Sequence, residues 1–149
     1  MGPAPMTSDF RTHTFTIRLH DTDAAGLLFF GHLFRHAHDA FEAFMATLGF
    51  PLDLMIRDGR MLLPLTHAEA DYRRPLRHGD VVRVLVSVLE IRRRSFSIGY
   101  RFLNARGEVA ATARTVHVQV DAEILPAYAL SPPLRLALSA HLADDARVS

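Results

Sequence analysis

The chain has 149 residues and a formal net charge of +1, and its 17 basic residues are all arginine. The absence of lysine and cysteine excludes Schiff-base and Walker-type lysines, thiol catalysis, disulfides and cysteine-ligated zinc. The near-zero charge does not favour nucleic acid. No apolar run approaches the ~20 residues of a membrane helix, and the N-terminus lacks a signal-peptide pattern. The sequence therefore predicts a cytoplasmic protein without membrane insertion.

The first part of the chain predicts a tail, a strand and a long helix. Residues 1–10 are expected to form a flexible tail ahead of a single domain at 11–149. Apolar and polar residues alternate over residues 11–20, which is the period of a half-buried strand. After a turn at 21–26, apolar residues recur at three- and four-residue steps and predict a helix of about five turns. These residues are Phe29, Phe30, Leu33, Phe34, Ala37, Phe41, Phe44 and Leu48, and the stop signals are Gly49 and Pro51.

The second part is rich in strand patterns. A helical turn is expected near 52–57 and a short terminal helix at 132–142. Between them the alternation predicts four strands, at residues 61–72, 80–91, 95–104 and 108–120. Pro64 interrupts the first of these, which indicates an edge strand or a bulge. One strand, one long helix and four antiparallel strands predict the α+β class.

Asp23 is the first functional candidate, because it lies in the turn between the first strand and the long helix. A carboxylate beside free helix N–H groups can serve as a base or nucleophile next to an anion-stabilising site, as acyl transfer requires. Helix capping by Asp21 or Asp23 explains the same pattern without catalysis. An aspartyl-phosphate phosphatase fits poorly, because Ala25 stands where that class has Thr or Val and the chain lacks lysine.

Histidine and arginine clusters are the other candidates. His32 and His36 share a helix face, but no interposed Glu gives the metalloprotease spacing, and no metal site is predicted. Arg92, Arg93 and Arg94 lie between two predicted strands. Their guanidinium groups suit the phosphates of a nucleotide-bearing substrate, and a solvated hairpin is the alternative.

Several segments together resemble a known family. Residues 15–44, with Asp-Thr-Asp-Ala-Ala-Gly-Leu-Leu-Phe-Phe at 21–30, resemble the signature of the 4-hydroxybenzoyl-CoA thioesterase branch of hotdog-fold proteins. The resemblance continues through 63–68, 77–80 and 92–96 in the expected order. It implies a hotdog fold, in which a curved antiparallel sheet of about five strands wraps one long helix. It also implies an acyl-CoA substrate, no cofactor, and a homodimer or homotetramer with active sites between subunits.

The resemblance also implies roles for individual residues. Asp23 corresponds to the catalytic aspartate, which acts as nucleophile or as general base for water. The backbone N–H of Phe30 corresponds to the group that polarises the thioester carbonyl. Arg92, Arg93 and Arg94 correspond to the residues that hold the phosphates of coenzyme A.

The acyl pocket departs from the hydroxybenzoyl pattern. Phe30 stands where those enzymes have tyrosine, and His38 and Leu63 replace polar residues that recognise the ring hydroxyl. The residues expected to contact the acyl group are Phe29, His38, Leu63 and Pro64. Together they look closer to the 1,4-dihydroxy-2-naphthoyl-CoA hydrolases. A broad short-chain thioesterase of the Tol–Pal-associated type and a non-catalytic acyl-CoA-binding hotdog module are the alternatives.

Overall fold

The computed structural model describes residues 11–121 and 129–143, so the predicted tail at 1–10 lies outside the described residues. Five antiparallel strands form one sheet in the order β1-β3-β4-β5-β2. The strands are β1 (Thr12–Thr16), β2 (Leu65–Tyr72), β3 (Val81–Ile91), β4 (Ser95–Leu103) and β5 (Val109–Val118). The helices are α1 (Phe30–Thr47), α2 (Leu52–Asp58) and α3 (Pro132–Ser139). The predicted α+β class is confirmed.

The long helix α1 packs on the concave face of the sheet through one apolar stripe. Its fully buried residues recur at the predicted three- and four-residue steps, and they are Leu33, Ala37, Ala40, Phe41, Phe44 and Met45. The helix ends where Gly49 takes a φ of 91°, a left-handed conformation that suits glycine after a helix. Its 18 residues make the predicted five turns. No helix in the described ranges has both the length and the hydrophobicity of a membrane span.

The first strand is shorter than its alternation predicted. β1 ends at Thr16, although Ile17 remains fully buried and continues the backbone hydrogen bonding through Gly79 and Asp80. A short 3₁₀ helix (Leu19–Asp21) then turns the chain away from the sheet, and Leu19 is 72% exposed. The last apolar residue of the alternating pattern therefore does not join the core.

At the end of β5 the concave face carries polar side chains. His117 stacks on Phe41 of α1 with ring centroids 4.1 Å apart, and Thr115 is buried beside it. Val116 and Val118 lie on the opposite face, where they are half-buried. Hydrophobicity alone would turn the valines inward. The register with β4, which pairs His117 with Phe96, turns the polar residues inward instead.

The strand β2 forms a long free edge of the sheet. It pairs with β5 on one side, and no strand in the described part of the chain pairs with its other side. Leu65 and Tyr72, at its two ends, are 50% and 48% exposed. β2 begins after Pro64 rather than at Met61, and a register shift follows Leu65, as expected where proline interrupts the ladder.

The sheet has two ends, which position the candidate residues. At the proximal end lie Thr16, Val81, Leu103 and Tyr72, and at the distal end lie Ile91, Ser95, Val118 and Leu65. The 11 residues of β3 separate the two ends by roughly 30 Å. The helix α1 begins beside Tyr72 at the proximal end and runs toward the distal end, where Phe41 meets His117.

Candidate active site

Asp23 closes a tight loop at the proximal end. Its Oδ1 atom accepts hydrogen bonds from the N–H groups of Ala25 at 2.9 Å and Leu27 at 3.1 Å. Gly26 takes a φ of 78° in this loop, a conformation that favours glycine. The side chain is exposed, and within the described residues no group hydrogen-bonds to Oδ2. One carboxylate oxygen is therefore fixed, and the other is open to solvent.

Asp23 does not cap the long helix. The N-cap position of α1 belongs to Phe29, whose side chain makes no capping hydrogen bond. The capping interpretation of Asp23 is therefore wrong. A capping-type bond belongs to Asp21 instead, because its Oδ2 atom accepts from the Arg18 N–H at 2.9 Å, ahead of the 3₁₀ helix.

The first turn of α1 lies against the Asp23 loop. The segments 21–23 and 27–29 run antiparallel, because the Asp23 N–H donates to the Leu27 carbonyl at 2.8 Å and the Phe29 N–H donates to the Asp21 carbonyl at 2.9 Å. No acceptor among the described residues takes the Phe30 N–H. The first turn also contains no acidic residue, so the partial positive charge of the helix terminus is not compensated.

Asp21 is fully buried and ties this loop to α1. Besides the Arg18 N–H, its carboxylate binds the His36 Nε2 atom at 3.0 Å and the Arg35 guanidinium. Burial alone would raise the pKa of Asp21, but the hydrogen bonds from Arg18 and His36 outweigh it and hold the pKa below its usual value. Phe15 stacks on the His36 ring at 3.8 Å. We call these contacts of Asp21 with Arg35 and His36 the Asp21 anchor. Its signal in the sequence was the presence of two adjacent polar residues, Arg35 and His36, on an otherwise apolar helix.

Tyr72 links the free edge of the sheet to the helix start. Its hydroxyl donates a hydrogen bond to the Phe30 carbonyl, and burial raises its pKa, so the hydroxyl stays protonated at neutral pH. A cavity of about 300 Å³ opens beside it, lined by Leu27, Leu28, Leu76 and neighbouring residues. Tyr72 was not identified from sequence, because a tyrosine at a strand end has no distinctive pattern.

The residues expected to contact the acyl group fall into two separate groups. The ring of Phe29 packs on Phe30 at 4.6 Å, at the start of α1. His38 lies nine residues further along the helix, about 13 Å away. Leu63 and Pro64 lie near the distal end, where their carbonyls accept hydrogen bonds from β5. Within one chain, Phe29 therefore lies apart from His38, Leu63 and Pro64.

His38 lines a second cavity of about 300 Å³ on the flank of α1. Its other lining residues are Phe34, Arg35, Asp39, Leu65 and Thr115. Phe34 and Leu65 supply apolar walls, and Thr115 is a buried polar residue contributed by the sheet. This cavity was not predictable from sequence, because its walls come from α1, β2 and β5.

Behind Thr115 lies a buried polar network. The Thr115 Oγ1 atom is 2.8 Å from the Tyr100 hydroxyl and 3.0 Å from His117 Nε2. His117 Nδ1 is 3.2 Å from the Leu63 carbonyl oxygen. Burial lowers the pKa of His117 to about 4, so its ring is neutral at pH 7.

We expect the free energy of unfolding to fall by about 3 kcal/mol between pH 6.5 and pH 4 because of His117. Its folded pKa of about 4 is below the ordinary 6.5, so the native state binds fewer protons than the unfolded state. The stabilisation that the neutral His117 ring provides is complete above pH 6.5 and is lost as the pH falls toward 4. The lowered pKa of His36, also caused mainly by burial, acts in the same direction.

Urea denaturation at pH 7, 5.5 and 4.5 measures this effect. The control is His117→Gln, which keeps a polar side chain but does not titrate. The stability of the variant should depend less on pH than that of the parent. Parallel curves for the two proteins would show that His117 does not cause the acid sensitivity.

The arginine triplet, Arg92 to Arg94, forms the exposed turn between β3 and β4 at the distal end. The Arg135 guanidinium donates to the carbonyls of Arg92 at 2.8 Å and Arg93 at 3.2 Å and so holds the backbone of the turn. The Arg92 side chain pairs with Glu90 at 3.0 Å. Within one chain the triplet is therefore at the opposite end of the sheet from Asp23.

The architecture and the site together define a class of protein. A five-stranded antiparallel sheet that wraps one long helix is the hotdog arrangement, and the exposed Asp23 carboxylate lies beside the open N-terminus of that helix. Residues 17–138 match the family profile of the thioesterase-like superfamily, and the chain belongs to that superfamily. The predicted resemblance is confirmed.

Individual relatives within this superfamily have names that state a particular acyl-CoA substrate. The 1,4-dihydroxy-2-naphthoyl-CoA hydrolase of Rippkaea orientalis is 36% identical over 111 residues, which are 73% of this chain and 80% of that protein. The crystal structure of a 1,4-dihydroxy-2-naphthoyl-CoA thioesterase from Synechocystis matches with a TM-score of 0.79 at 27% identity, covering 86% of this chain and 94% of that one. A gentisyl-coenzyme A thioesterase matches with a TM-score of 0.77 at 25% identity, covering 86% and 98%.

Proposed function

We propose that this protein is an acyl-CoA thioesterase that hydrolyses a hydroxylated aromatic acyl-CoA to the free acid and CoA. The observation that carries the proposal is the exposed Asp23 carboxylate, with one oxygen fixed and one open, next to the unengaged Phe30 N–H. The names of the relatives support 1,4-dihydroxy-2-naphthoyl-CoA, or a hydroxybenzoyl-CoA type of thioester, as substrate. The cytoplasm is the expected compartment.

The open Oδ2 atom of Asp23 supports two routes of attack. As a base it removes a proton from water, and the water oxygen attacks the thioester carbon. As a nucleophile it attacks that carbon itself, and water then hydrolyses the resulting mixed anhydride. In both routes the thioester carbon becomes tetrahedral and its oxygen becomes an anion. When the anion collapses, the C–S bond breaks and the CoA thiolate leaves and is protonated.

The Phe30 N–H and the positive end of the α1 dipole are suited to stabilise this anion. A donor aimed at such an oxyanion typically contributes about 2.7–4 kcal/mol to the barrier. The hydrogen bond from Tyr72 to the Phe30 carbonyl and the buried Asp21 anchor hold the helix start in place. The donor is therefore preorganised before the substrate binds.

We further propose that each active site is shared between two chains. The unpaired edge of β2 supports antiparallel pairing with a second copy, which would extend the sheet. Such a two-fold dimer brings the proximal end of one subunit beside the distal end of the other. Asp23 of one chain would then face the His38 cavity and the arginine triplet of its copy. The expected homotetramer would be built from two such dimers.

Mixed dimers test the shared site. We expect Asp23→Asn to lower kcat by a factor of about 10²–10⁴. We expect the combined Arg92→Ala, Arg93→Ala and Arg94→Ala variant to raise KM tenfold or more, because it removes charge-assisted phosphate contacts that are each typically worth about 1.5–3 kcal/mol. A heterodimer of the two variants contains one site with both defects and one intact site. Its kcat/KM should therefore recover to about half that of the parent.

Co-expression with two different affinity tags isolates the heterodimer. The two homodimeric variants, purified the same way, are the controls. If each site were built from one chain, the heterodimer would contain two singly damaged sites. Its activity would then equal the mean of the homodimers, which would contradict the shared arrangement.

A thiol-release assay over naphthoyl, benzoyl and aliphatic CoA thioesters tests the function itself. The expected result is turnover with preference for aromatic thioesters. Preference for short aliphatic thioesters would indicate the broad Tol–Pal-associated type. CoA binding without any turnover would contradict the proposal and indicate a non-catalytic binding module.

A further inference from the structure

In the buried network behind the His38 cavity, the donor and the acceptor of each hydrogen bond can be assigned. The Leu63 carbonyl can only accept, so the proton of His117 is on Nδ1. Because the ring is neutral, Nε2 carries no proton and accepts. The single hydroxyl proton of Thr115 must therefore point to His117 Nε2. The Tyr100 hydroxyl is then the donor to Thr115 Oγ1, because the Thr115 proton is already used.

This assignment determines what Thr115 offers to the cavity. A hydroxyl oxygen has one proton and two lone pairs. The proton is used by His117, and one lone pair accepts from Tyr100. The second lone pair has no donor among the described residues, and Thr115 lines the cavity. Thr115 therefore has a hydrogen-bond acceptor, and no donor, to offer to a group that binds in the cavity.

Two of the remaining walls suit a planar apolar group. Phe34 and Leu65 form these walls, and the volume of about 300 Å³ is at the lower limit of small-molecule sites. The polar residues Arg35, His38 and Asp39 of α1 also line the cavity. An aromatic ring that enters with a hydroxyl directed at Thr115 satisfies both the apolar walls and the unused acceptor.

We propose that Thr115 is a specificity-determining residue, whose Oγ1 atom accepts a hydrogen bond from a ring hydroxyl of the acyl group. This inference rests on the proposed function. It predicts preference for an acyl ring that carries an O–H group over the same ring with hydrogen or methoxy at that position. Methoxy retains the oxygen but cannot donate, and its lone pairs would face that of Thr115.

The test measures kcat/KM for two matched substrate pairs. One pair is 1,4-dihydroxy-2-naphthoyl-CoA and 1-hydroxy-2-naphthoyl-CoA, and the other is 4-hydroxybenzoyl-CoA and benzoyl-CoA. The readout is the ratio between the hydroxylated and the deoxy member of each pair. We expect Thr115→Val to lower this ratio roughly tenfold in at least one pair. Thr115→Ser, which keeps the hydroxyl, should keep the ratio within about twofold of the parent.

Tyr100→Phe is the matched structural control. It breaks the same buried network but leaves the acceptor of Thr115 in place, so the ratio should stay close to the parental value. A ratio that falls equally in Tyr100→Phe and Thr115→Val would show a general packing effect and overturn the assignment. So would a ratio that Thr115→Val leaves unchanged.

A measurement on the parent keeps the proposal testable if Thr115→Val does not fold. The parent should hydrolyse 4-hydroxybenzoyl-CoA roughly tenfold more efficiently than 4-methoxybenzoyl-CoA. Equal efficiencies would refute the role of Thr115 while leaving thioester hydrolysis intact. Failure of the parent to hydrolyse any of these thioesters would instead refute the proposed function, and this inference with it.

Discussion

Replacing Asp23 by Asn is expected to lower kcat for thioester hydrolysis by a factor of about 10²–10⁴ without unfolding the protein. The amide is neither a comparable base nor a nucleophile. Its Oδ1 atom can still accept the N–H groups of Ala25 and Leu27, so the loop keeps both of its side-chain hydrogen bonds. The substitution therefore removes the reactive carboxylate and preserves the conformation of the loop.

Steady-state kinetics and thermal unfolding of Asp23→Asn and Asp23→Ala measure this effect. The Ala variant loses the two loop hydrogen bonds as well as the carboxylate. We expect similar losses of kcat in both variants, and a lower Tm in the Ala variant alone. Parental turnover by Asp23→Asn, on every thioester that the parent accepts, would show that Asp23 neither attacks nor activates water.

Replacing Phe30 by Pro is expected to lower kcat by a factor of about 10²–10³. Phe30 is the first residue of α1, where proline is well tolerated because its N–H makes no helix hydrogen bond. Phe29 already has a φ of −67° and a ψ of 132°, which is the conformation that a residue before proline prefers. The substitution therefore deletes one backbone donor and leaves the helix intact.

Phe30→Ala is the matched control, because it removes the same ring but keeps the N–H. The Pro and Ala variants should have similar helix content by circular dichroism and similar KM. The difference in kcat between them then isolates the backbone donor. Equal kcat values would exclude the Phe30 N–H as the group that stabilises the oxyanion.

The sequence by itself determined the α+β class and most element positions. The apolar steps of α1 and its stop at Gly49 are local signals, because they depend on the helical period and on glycine's freedom at a positive φ. The alternation in β3 and β4 is local in the same sense. The loop motif around Asp23 and its place before a helix were also visible, because they are adjacent in the chain.

Only the tertiary structure decided which polar groups are buried and which candidates lie together. Asp21 and Asp23 look alike in sequence, yet only Asp21 is buried. Arg35 and His36, in the second turn of α1, bind its carboxylate, while the carboxylate of Asp23 stays open to solvent. The inward direction of Thr115 depends on the register between β4 and β5. A register of this kind is set by pairing between distant segments, and a shift of one residue would reverse every side chain.

The same long-range geometry separates Asp23 from the arginine triplet by the length of β3. Sequence order and motif resemblance assigned both to one active site, but neither contains the distance between them. That distance follows from the strand rise and from the position of each turn at one end of the sheet. The sequence thus identified the candidate residues of the proposed site. The fold placed Asp23 and the arginine triplet at opposite ends of one chain, and this separation is the physical reason for proposing a site shared between two chains.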